Sequence, residues 1–224
     1  MGTGASISHT DKKEGIPPWI NTVHPPSNTF YDTFGDMAQG MQLLAINTVC
    51  RNRAGQSETD AAQWKKGFKS GKHVFEIAFP VSYRGREASV GVGYKDCPLC
   101  VKGRVCLVGY NTRSWGISLT RRKSMHNNTE ASRYPHTMVF LPDKFYMYLD
   151  ADAGTLQFGS DEDFYGVAHS DINMSQPVHP MVSACSQGAT ITLVYRGKGV
   201  VRKGPSQRRE KIKTSYKDFR RKFS

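Results

Sequence analysis

The stretch that decides the fold class is Gly71-Lys72-His73-Val74-Phe75-Glu76-Ile77-Ala78-Phe79. Phe75, Ile77 and Phe79 stand at every second position. Alternate side chains of an extended strand point to the same face, so these three apolar side chains lie on one face of the strand. The stretch therefore predicts a strand with one buried apolar face.

The same period of two recurs along the chain. Its apolar members are Ala88, Val90 and Val92; Trp115, Ile117 and Leu119; Phe145, Met147 and Leu149; Leu156 and Phe158; and Ile191, Leu193 and Tyr195. Turn signals such as Asp152-Ala153-Gly154 separate the segments. Short strands with turns between them predict an all-β antiparallel sandwich, and no βαβ alternation or fixed-period repeat is present.

The composition fits one domain with extensions. The chain has 224 residues, of which 38% are hydrophobic and 11% aromatic, enough for a real core. We predict an N-terminal arm at 1–40 that is partly docked through residues such as Trp19 and Phe34, a sandwich at 41–199, and a basic tail at 200–224. Five cysteines without a signal peptide indicate reduced thiols and an intracellular, cytoplasmic location.

The positive charge is concentrated at the C-terminal end. Residues 200–224 contain ten Lys or Arg and two acidic residues, so they carry +8 of the net +12. Ile212, Tyr216, Phe219 and Phe223 recur at helical spacing and predict a short basic amphipathic helix. Such a tail fits an anionic membrane surface or an acidic protein, and equally a solvated end or a nuclear localisation signal.

The N-terminus offers a candidate lipidation site at Gly2. Met1-Gly2-Thr3-Gly4-Ala5-Ser6 fits the pattern for N-myristoylation, although so short a pattern also arises by chance. One myristoyl chain binds a membrane only marginally, so a second signal is needed, and the basic tail could supply it. The alternative function is therefore a membrane-associated scaffold.

The sequence favours neither a metal site nor a catalytic site. Cys97, Cys100 and Cys106 invite a zinc interpretation, but a structural zinc site wants four ligands, so free thiols are the preferred interpretation and no metal is expected. His73 is interpreted as structural. The sequence has no nucleophile elbow, phosphate loop or H-E-x-x-H motif. We expect no cofactor.

Collinear motifs over roughly residues 56–199 resemble one family. They are Gly71-Lys72-His73-Val74-Phe75-Glu76-Ile77, Arg84-Gly85, Val90-Gly91-Val92, Leu107-Val108-Gly109, Ser114-Trp115-Gly116, Asp150-Ala151-Asp152-Ala153-Gly154, Pro180-Met181-Val182-Ser183-Ala184 and Val194-Tyr195. The chain resembles the SPRY (B30.2/SPRY) domain family, most strongly the SPRY domain-containing SOCS box proteins and after them the F-box/SPRY proteins. The resemblance implies a bent antiparallel β-sandwich of the concanavalin-like jelly-roll type.

The resemblance also implies a function. Family members are not enzymes; loops at one end of the sandwich hold a short peptide of a partner protein, and in SOCS box members a C-terminal box recruits a cullin ubiquitin ligase. The peptide-binding positions carried over are Arg53, Arg104, Leu107, Val108, Gly109, Tyr110, Cys185, Ser186 and Gln187. The family arginine matches Arg53 or Arg51, because an insertion at Glu58 blurs the register.

The loops depart from the family pattern at two places. Arg104 replaces a family Tyr, and Cys185-Ser186-Gln187 replaces Val-Trp-Gly. We expect Arg104 to donate charge-assisted hydrogen bonds to an acidic peptide, over an apolar floor of Leu107 and Val108.

Two kinds of partner are not expected. The residues after Gly199 lack the leucine-rich helices of a SOCS box, and residues 1–40 are too short and proline-rich for an F-box, so direct cullin recruitment is doubtful. Nucleic acid is not favoured either, since no aromatic stacking platform on an RNA-binding fold is recognisable.

Overall fold

The structure is a computed structural model that describes residues 16–21, 23–24, 33–136 and 139–199. Gly2 and the predicted helix of the tail lie outside the described residues. Within them, the chain forms two antiparallel sheets, a 3₁₀ turn at Pro18–Asn21 and one short helix, α1, at Val81–Arg84. The predicted β-sandwich is confirmed.

The strands follow one another along the whole described chain. In order they are β1 (Val23–His24), β2 (Phe34–Met37), β3 (Met41–Ala45), β4 (Thr48–Arg51), β5 (Glu58–Trp64), β6 (Lys72–Ala78), β7 (Ala88–Tyr94), β8 (Cys100–Lys102), β9 (Ser114–Ser118), β10 (Lys123–His126), β11 (Thr129–Arg133), β12 (Lys144–Asp150), β13 (Thr155–Gly159), β14 (Phe164–His169), β15 (Val178–Ala184) and β16 (Thr190–Gly199).

The two sheets interleave distant parts of the chain. The first has the order β14-β13-β12-β6-β16-β4-β3, with β1 added beside β16. The second has the order β11-β10-β9-β7-β15-β5-β2, with β8 added beside β5. Most neighbours are far apart in sequence, so the fold is built from long-range pairing rather than from hairpins alone.

The core lies between the two sheets, on the faces that the period of two picks out. Phe75 and Ile77 from β6 are fully buried, as are Val90 from β7 and Ile117 from β9. Side chains from facing sheets interdigitate in such a layer. The alternating residues named from the sequence are thus the residues that hold the sandwich together.

The N-terminal segment packs on the outside of the first sheet. Trp19 is buried against Val74 and Tyr148, and its ring meets the Tyr148 ring edge to face at 6.3 Å between centroids. The predicted arm also contains a strand of the sandwich, β2, whose Phe34 packs edge to face on Trp64. The sandwich therefore begins before residue 41.

A buried ion pair joins the two sheets. Arg51 ends β4 in the first sheet and Asp60 lies in β5 of the second, and both side chains have no exposed surface. Arg51 Nε donates to Asp60 Oδ2 at 3.0 Å. A buried charge is costly unless it is paired, so each of these groups requires the other.

Removing one partner of this pair should destabilise the fold strongly. Asp60→Ala leaves the Arg51 guanidinium buried without its counter-ion, which costs about 3–5 kcal/mol. Glu58→Ala is the control, because Glu58 is partly exposed and faces Arg53 instead. Chemical denaturation should show a large loss for Asp60→Ala and a small one for Glu58→Ala. Equal losses would contradict the role assigned to the pair.

Buried histidines should make the fold sensitive to mild acid. Burial lowers the pKa of His73, His169 and His179 below the ordinary value of 6.5. The unfolded chain then binds more protons than the folded chain near pH 6, so stability is complete above pH 6.5 and is lost as the pH falls below it. The melting temperature should be lower at pH 5.5 than at pH 7.5.

A variant pair checks the cause of this acid sensitivity. His179→Gln should reduce the difference between the two melting temperatures, whereas His24→Gln, which changes an exposed side chain, should leave it as it is. A melting temperature that rises on acidification would contradict the assignment.

Candidate functional site

Four connecting segments meet at one end of the sandwich. They are residues 52–57 after β4, 79–87 around α1, 102–105 at the end of β8 and beyond it, and 185–189 after β15, and together we call them the rim. The register places them together, since Ala184 pairs with both Asp60 and Ala88, and Glu58 pairs with Lys102. Loops fixed on a rigid sheet end are a usual place for recognition.

Arg51 organises the rim from below. Its guanidinium donates to the carbonyls of Arg53 at 3.0 Å, Gly55 at 2.9 Å and Glu58 at 2.9 Å. Its own backbone carbonyl accepts from Gly188 N at 2.8 Å. One buried side chain therefore fixes the first rim segment and, through its backbone, also the fourth.

Arg104 lies on the exposed surface of the third segment. Gly103 N donates to the Ser57 carbonyl at 2.7 Å, and Thr59 Oγ1 donates to the Gly103 carbonyl at 2.9 Å. The Arg104 side chain itself makes one long hydrogen bond, from Nε to the Gln56 carbonyl at 3.4 Å. Its backbone is thus held while its guanidinium remains available to solvent.

Leu107 and Val108 lie beneath the surface. Both are fully buried against the outer face of the second sheet, in a cluster with Ala61, Cys97 and Met181. They pack the segment onto the sheet, because β5, β7 and β15 also present apolar or small residues on that side. Leu107 and Val108, which we expected to form an apolar floor for a ligand, are therefore packed inside the protein.

Tyr110 does not share the rim. After the buried residues Leu107 and Val108, the chain reaches the turn between β10 and β11. There Asn128 N donates a hydrogen bond to the Gly109 carbonyl at 3.1 Å. Gly109 has φ of +97° and faces Met125, a position that needs glycine. The family resemblance grouped Tyr110 with Arg104, and the packed residues Leu107 and Val108 lie between the two.

The fourth rim segment divides into a buried and an exposed part. Cys185 is fully buried, and its N donates to the Glu87 carbonyl at 3.1 Å. Ser186 is half-buried beside Gly85, whose φ of +59° and lack of a side chain allow the close approach. Gln187 is exposed. The accessible residues of this segment are therefore Ser186, Gln187 and Gly188, and the side chains that they offer are those of Ser186 and Gln187.

The exposed charge of the rim is positive. Arg53 is already paired with Asp60 at 2.9 Å and with Glu58 at 2.7 Å. Three other cations are exposed: Arg86, Lys102 and Arg104. None of them forms an ion pair with a carboxylate of the described residues. These cations are the groups that remain free to bind an anion.

Two exposed apolar side chains lie at the same end of the sandwich as these cations. Val81 and Tyr83 of α1 are 57% and 50% exposed. The helix is held in place by Arg84, which is buried and donates to the carbonyls of Phe79 and Leu141. Sequence reasoning missed Tyr83 and Arg86, although the neighbouring Arg84-Gly85 motif was visible.

The buried thiols face polar partners. Cys106 Sγ donates to Glu87 Oε2 at 3.0 Å, and burial raises the pKa of Cys106 to about 12. Cys97 lies near Asn111, with 3.8 Å between Sγ and Oδ1. In the described ranges no three His, Cys, Asp or Glu side chains come together as metal ligands.

The interpretation of His73 as structural agrees with its surroundings. One ring nitrogen lies 2.9 Å from the Tyr195 hydroxyl and the other 2.9 Å from the Ser70 carbonyl. Asp150 accepts from the backbone N–H groups of Asp152 and Ala153 in a tight turn and pairs with Lys72 at 2.7 Å. These groups are occupied in holding the fold.

Comparison with known proteins agrees with this architecture. The family model for the SPRY domain matches residues 72–197. Protein gustavus of Drosophila melanogaster is 37% identical over 157 residues, covering 67% of this chain and 56% of that protein. SPRY domain-containing SOCS box protein 1 of Homo sapiens is 38% identical over 144 residues, covering 61% and 52%.

A third relative and two solved structures are also similar to this chain. F-box/SPRY domain-containing protein 1 of Drosophila willistoni is 32% identical over 154 residues, covering 67% of this chain and 59% of that protein. The chain thus spans a little over half the length of these relatives. The SPRY domain of human HERC1 covers 71% of this chain and 98% of its own, with a TM-score of 0.55 and 17% identity. The TRIM65 PSpry domain covers 72% and 87%, with a TM-score of 0.52 and 20% identity.

Strands β6 to β15 and most of β16 lie in the residues that the SPRY model matches, and that match extends over more than half of the chain. This chain belongs to the SPRY domain family.

Proposed function

We propose that this protein is a non-enzymatic interaction module whose rim binds a short acidic segment of a partner protein. The observation that carries the proposal is the set of exposed cations without an ion pair on the rim, Arg86, Lys102 and Arg104. Membership of the SPRY family and relatives that combine SPRY domains with SOCS boxes or F-boxes are consistent with an interaction role.

The charge of the rim selects the chemistry of the ligand. A guanidinium such as that of Arg104 presents several N–H donors in a plane and binds carboxylates in pairs of hydrogen bonds. Ser186 and Gln187 add neutral donors and acceptors beside it. Tyr83 and Val81 supply apolar surface on the same end. We therefore propose a ligand that places an acidic residue next to an aliphatic or aromatic one.

The rigidity of the rim supports binding of a short segment. Arg51 holds the first and fourth segments through partly buried hydrogen bonds, and Thr59 holds the third. A short peptide makes few contacts, so it binds well only if the receptor loses little freedom on binding. A loop network that is ordered before the ligand arrives meets this condition.

The relatives suggest the setting of this recognition. Names that join SPRY to SOCS box or F-box suggest substrate recognition for ubiquitin ligases. We propose that this chain recognises a partner protein as such a substrate-recognition adaptor does. We propose no direct contact with a cullin. An intracellular location is part of the proposal, and the five free cysteines support it.

The alternative of a membrane-associated scaffold rests on Gly2 and residues 200–224, outside the described residues. No helix in the described ranges is long and apolar enough to cross a membrane. The structure adds no observation in favour of this alternative, so it stays an expectation from sequence.

Arg104 provides the test of the proposed site. Arg104→Glu reverses the charge of an exposed side chain and should weaken binding to an acidic partner at least tenfold, about 1.4 kcal/mol. Affinity capture from a lysate, read by mass spectrometry, identifies the partner, and titration with a peptide from it gives the affinity. The melting temperature should stay unchanged.

The matched control reverses charge at the other end of the sandwich. Lys69 is exposed and lies before β6. Lys69→Glu should bind the partner as the unaltered chain does. The site is wrong if Arg104→Glu retains full affinity, or if both variants lose it equally.

A further inference from the structure

A second concave surface lies beside the rim, on the edge of the first sheet. Residues 139–144, which lead into β12, form one wall, and residues 160–165, from the end of β13 to the start of β14, form the other. The cleft has a volume of about 430 Å³. We call it the Phe140 cleft. It contains none of the rim cations.

Phe140 is the most exposed large apolar side chain of the described residues. It is 86% exposed and is followed by Pro142 in the same wall. An isolated exposed apolar side chain needs no explanation, but one that lines a concave surface offers a partner apolar area to cover. The cleft therefore has an apolar contact point at its edge.

The remainder of the cleft is acidic. Asp143, Asp161, Glu162 and Asp163 contribute four carboxylates against one lysine, Lys144. Lys144 is already paired with Asp161 at 2.7 Å. No ion pair is recorded in the described ranges for Glu162 or Asp163. The cleft is thus a negative surface on a chain whose net charge is +12.

Tyr165 forms part of the wall of the cleft. It lines the cleft, is only 5% exposed, and its buried hydroxyl has no hydrogen-bond partner among the described residues. Burial raises the pKa of this hydroxyl, and the neighbouring Ser160 side chain opposes that rise. Because the hydroxyl is buried, Tyr165 contributes to the wall of the cleft and not to its exposed contact surface.

We propose that the Phe140 cleft binds the C-terminal tail of the same chain, residues 200–224. The tail carries +8, and Ile212, Tyr216, Phe219 and Phe223 are spaced to form one apolar face among the basic residues. Lysine and arginine side chains meet Glu162 and Asp163, while the aromatic face covers Phe140. Opposite charge and matched apolar surface thus coincide at one site.

The tail is long enough to reach the cleft from where the described chain ends. Gly199 pairs with Lys72, at the end of β6 away from the rim. The cleft lies about 20 Å along the strands and about 14 Å across three strand spacings from there. Roughly eight extended residues cover that separation of about 25 Å. Residues 212–223 can therefore lie in the cleft.

Aromatic side chains mark a path between the two points. Gly199 lies against Trp19, which packs on Tyr148. Tyr148 stacks on Tyr146 at 6.2 Å and also contacts Phe164 at 6.3 Å. Tyr146 and Phe164 are half-buried, so they leave apolar surface on the outer face of the first sheet. This surface leads from the last described residue toward the cleft.

Photo-cross-linking of the full chain tests the proposal. Phe219 is replaced by p-benzoylphenylalanine, an aromatic analogue that preserves the apolar face, and the irradiated protein is digested and analysed by mass spectrometry. Cross-links should join position 219 to residues 139–144 or 160–165. Their yield should not change on dilution, and it should fall with added salt because the contact includes exposed charges.

Two substitutions in the cross-linking chain provide the matched comparison. Glu162→Lys reverses a charge in the cleft and should reduce the yield at least threefold. Asp171→Lys makes the same charge change at another exposed acidic residue and should leave the yield unaltered. Cross-links elsewhere, their absence, or a yield indifferent to Glu162→Lys would overturn the proposal. Cross-links between isotopically distinct chains would assign the cleft to a second copy and overturn it as well.

Discussion

The arrangement of the rim depends on one ion pair, between Arg51 and Asp60. The two residues belong to different sheets, and neither side chain is exposed. Such a pair is weak evidence for added stability, because removing two charges from water costs about as much as their attraction returns. Its value here is positional. Once Arg51 is fixed against Asp60, its remaining N–H groups determine where the carbonyls of Arg53, Gly55 and Glu58 lie.

The same end of the sandwich is divided into two halves of opposite charge. The half built on the second sheet carries Arg86, Lys102 and Arg104 as exposed cations. The half at the edge of the first sheet carries the carboxylates of the Phe140 cleft. The helix α1 lies between them, held by Arg84, and its Val81 N donates to Asp143 at 2.7 Å. In our proposals the basic rim binds an acidic partner segment and the acidic Phe140 cleft binds the basic tail. The opposite charges of the two surfaces would direct each ligand to its own site.

The sequence was sufficient for the fold, because a period of two has one structural meaning when turns separate the segments. Phe75, Ile77 and Val90 are buried as that pattern requires. It was less informative about the site. An apolar residue in a connecting segment can face a ligand or pack inward, and Leu107 and Val108 pack inward. The position of Tyr110 depends on that packing, which no local pattern encodes. The pairing of Arg51 with Asp60, and the placement of Phe140 and Tyr165 around one cleft, arise from the order of strands in the sheets.

The central claim is that the rim is a rigid, positively charged receptor for an acidic segment. Selection of a random peptide library displayed on phage against the full chain, at low and at physiological ionic strength, tests it most directly. The account predicts that the enriched peptides contain Asp or Glu beside an aliphatic or aromatic residue, and that their binding weakens with salt. Enrichment of neutral, asparagine-rich or basic peptides, with binding indifferent to salt, would contradict it.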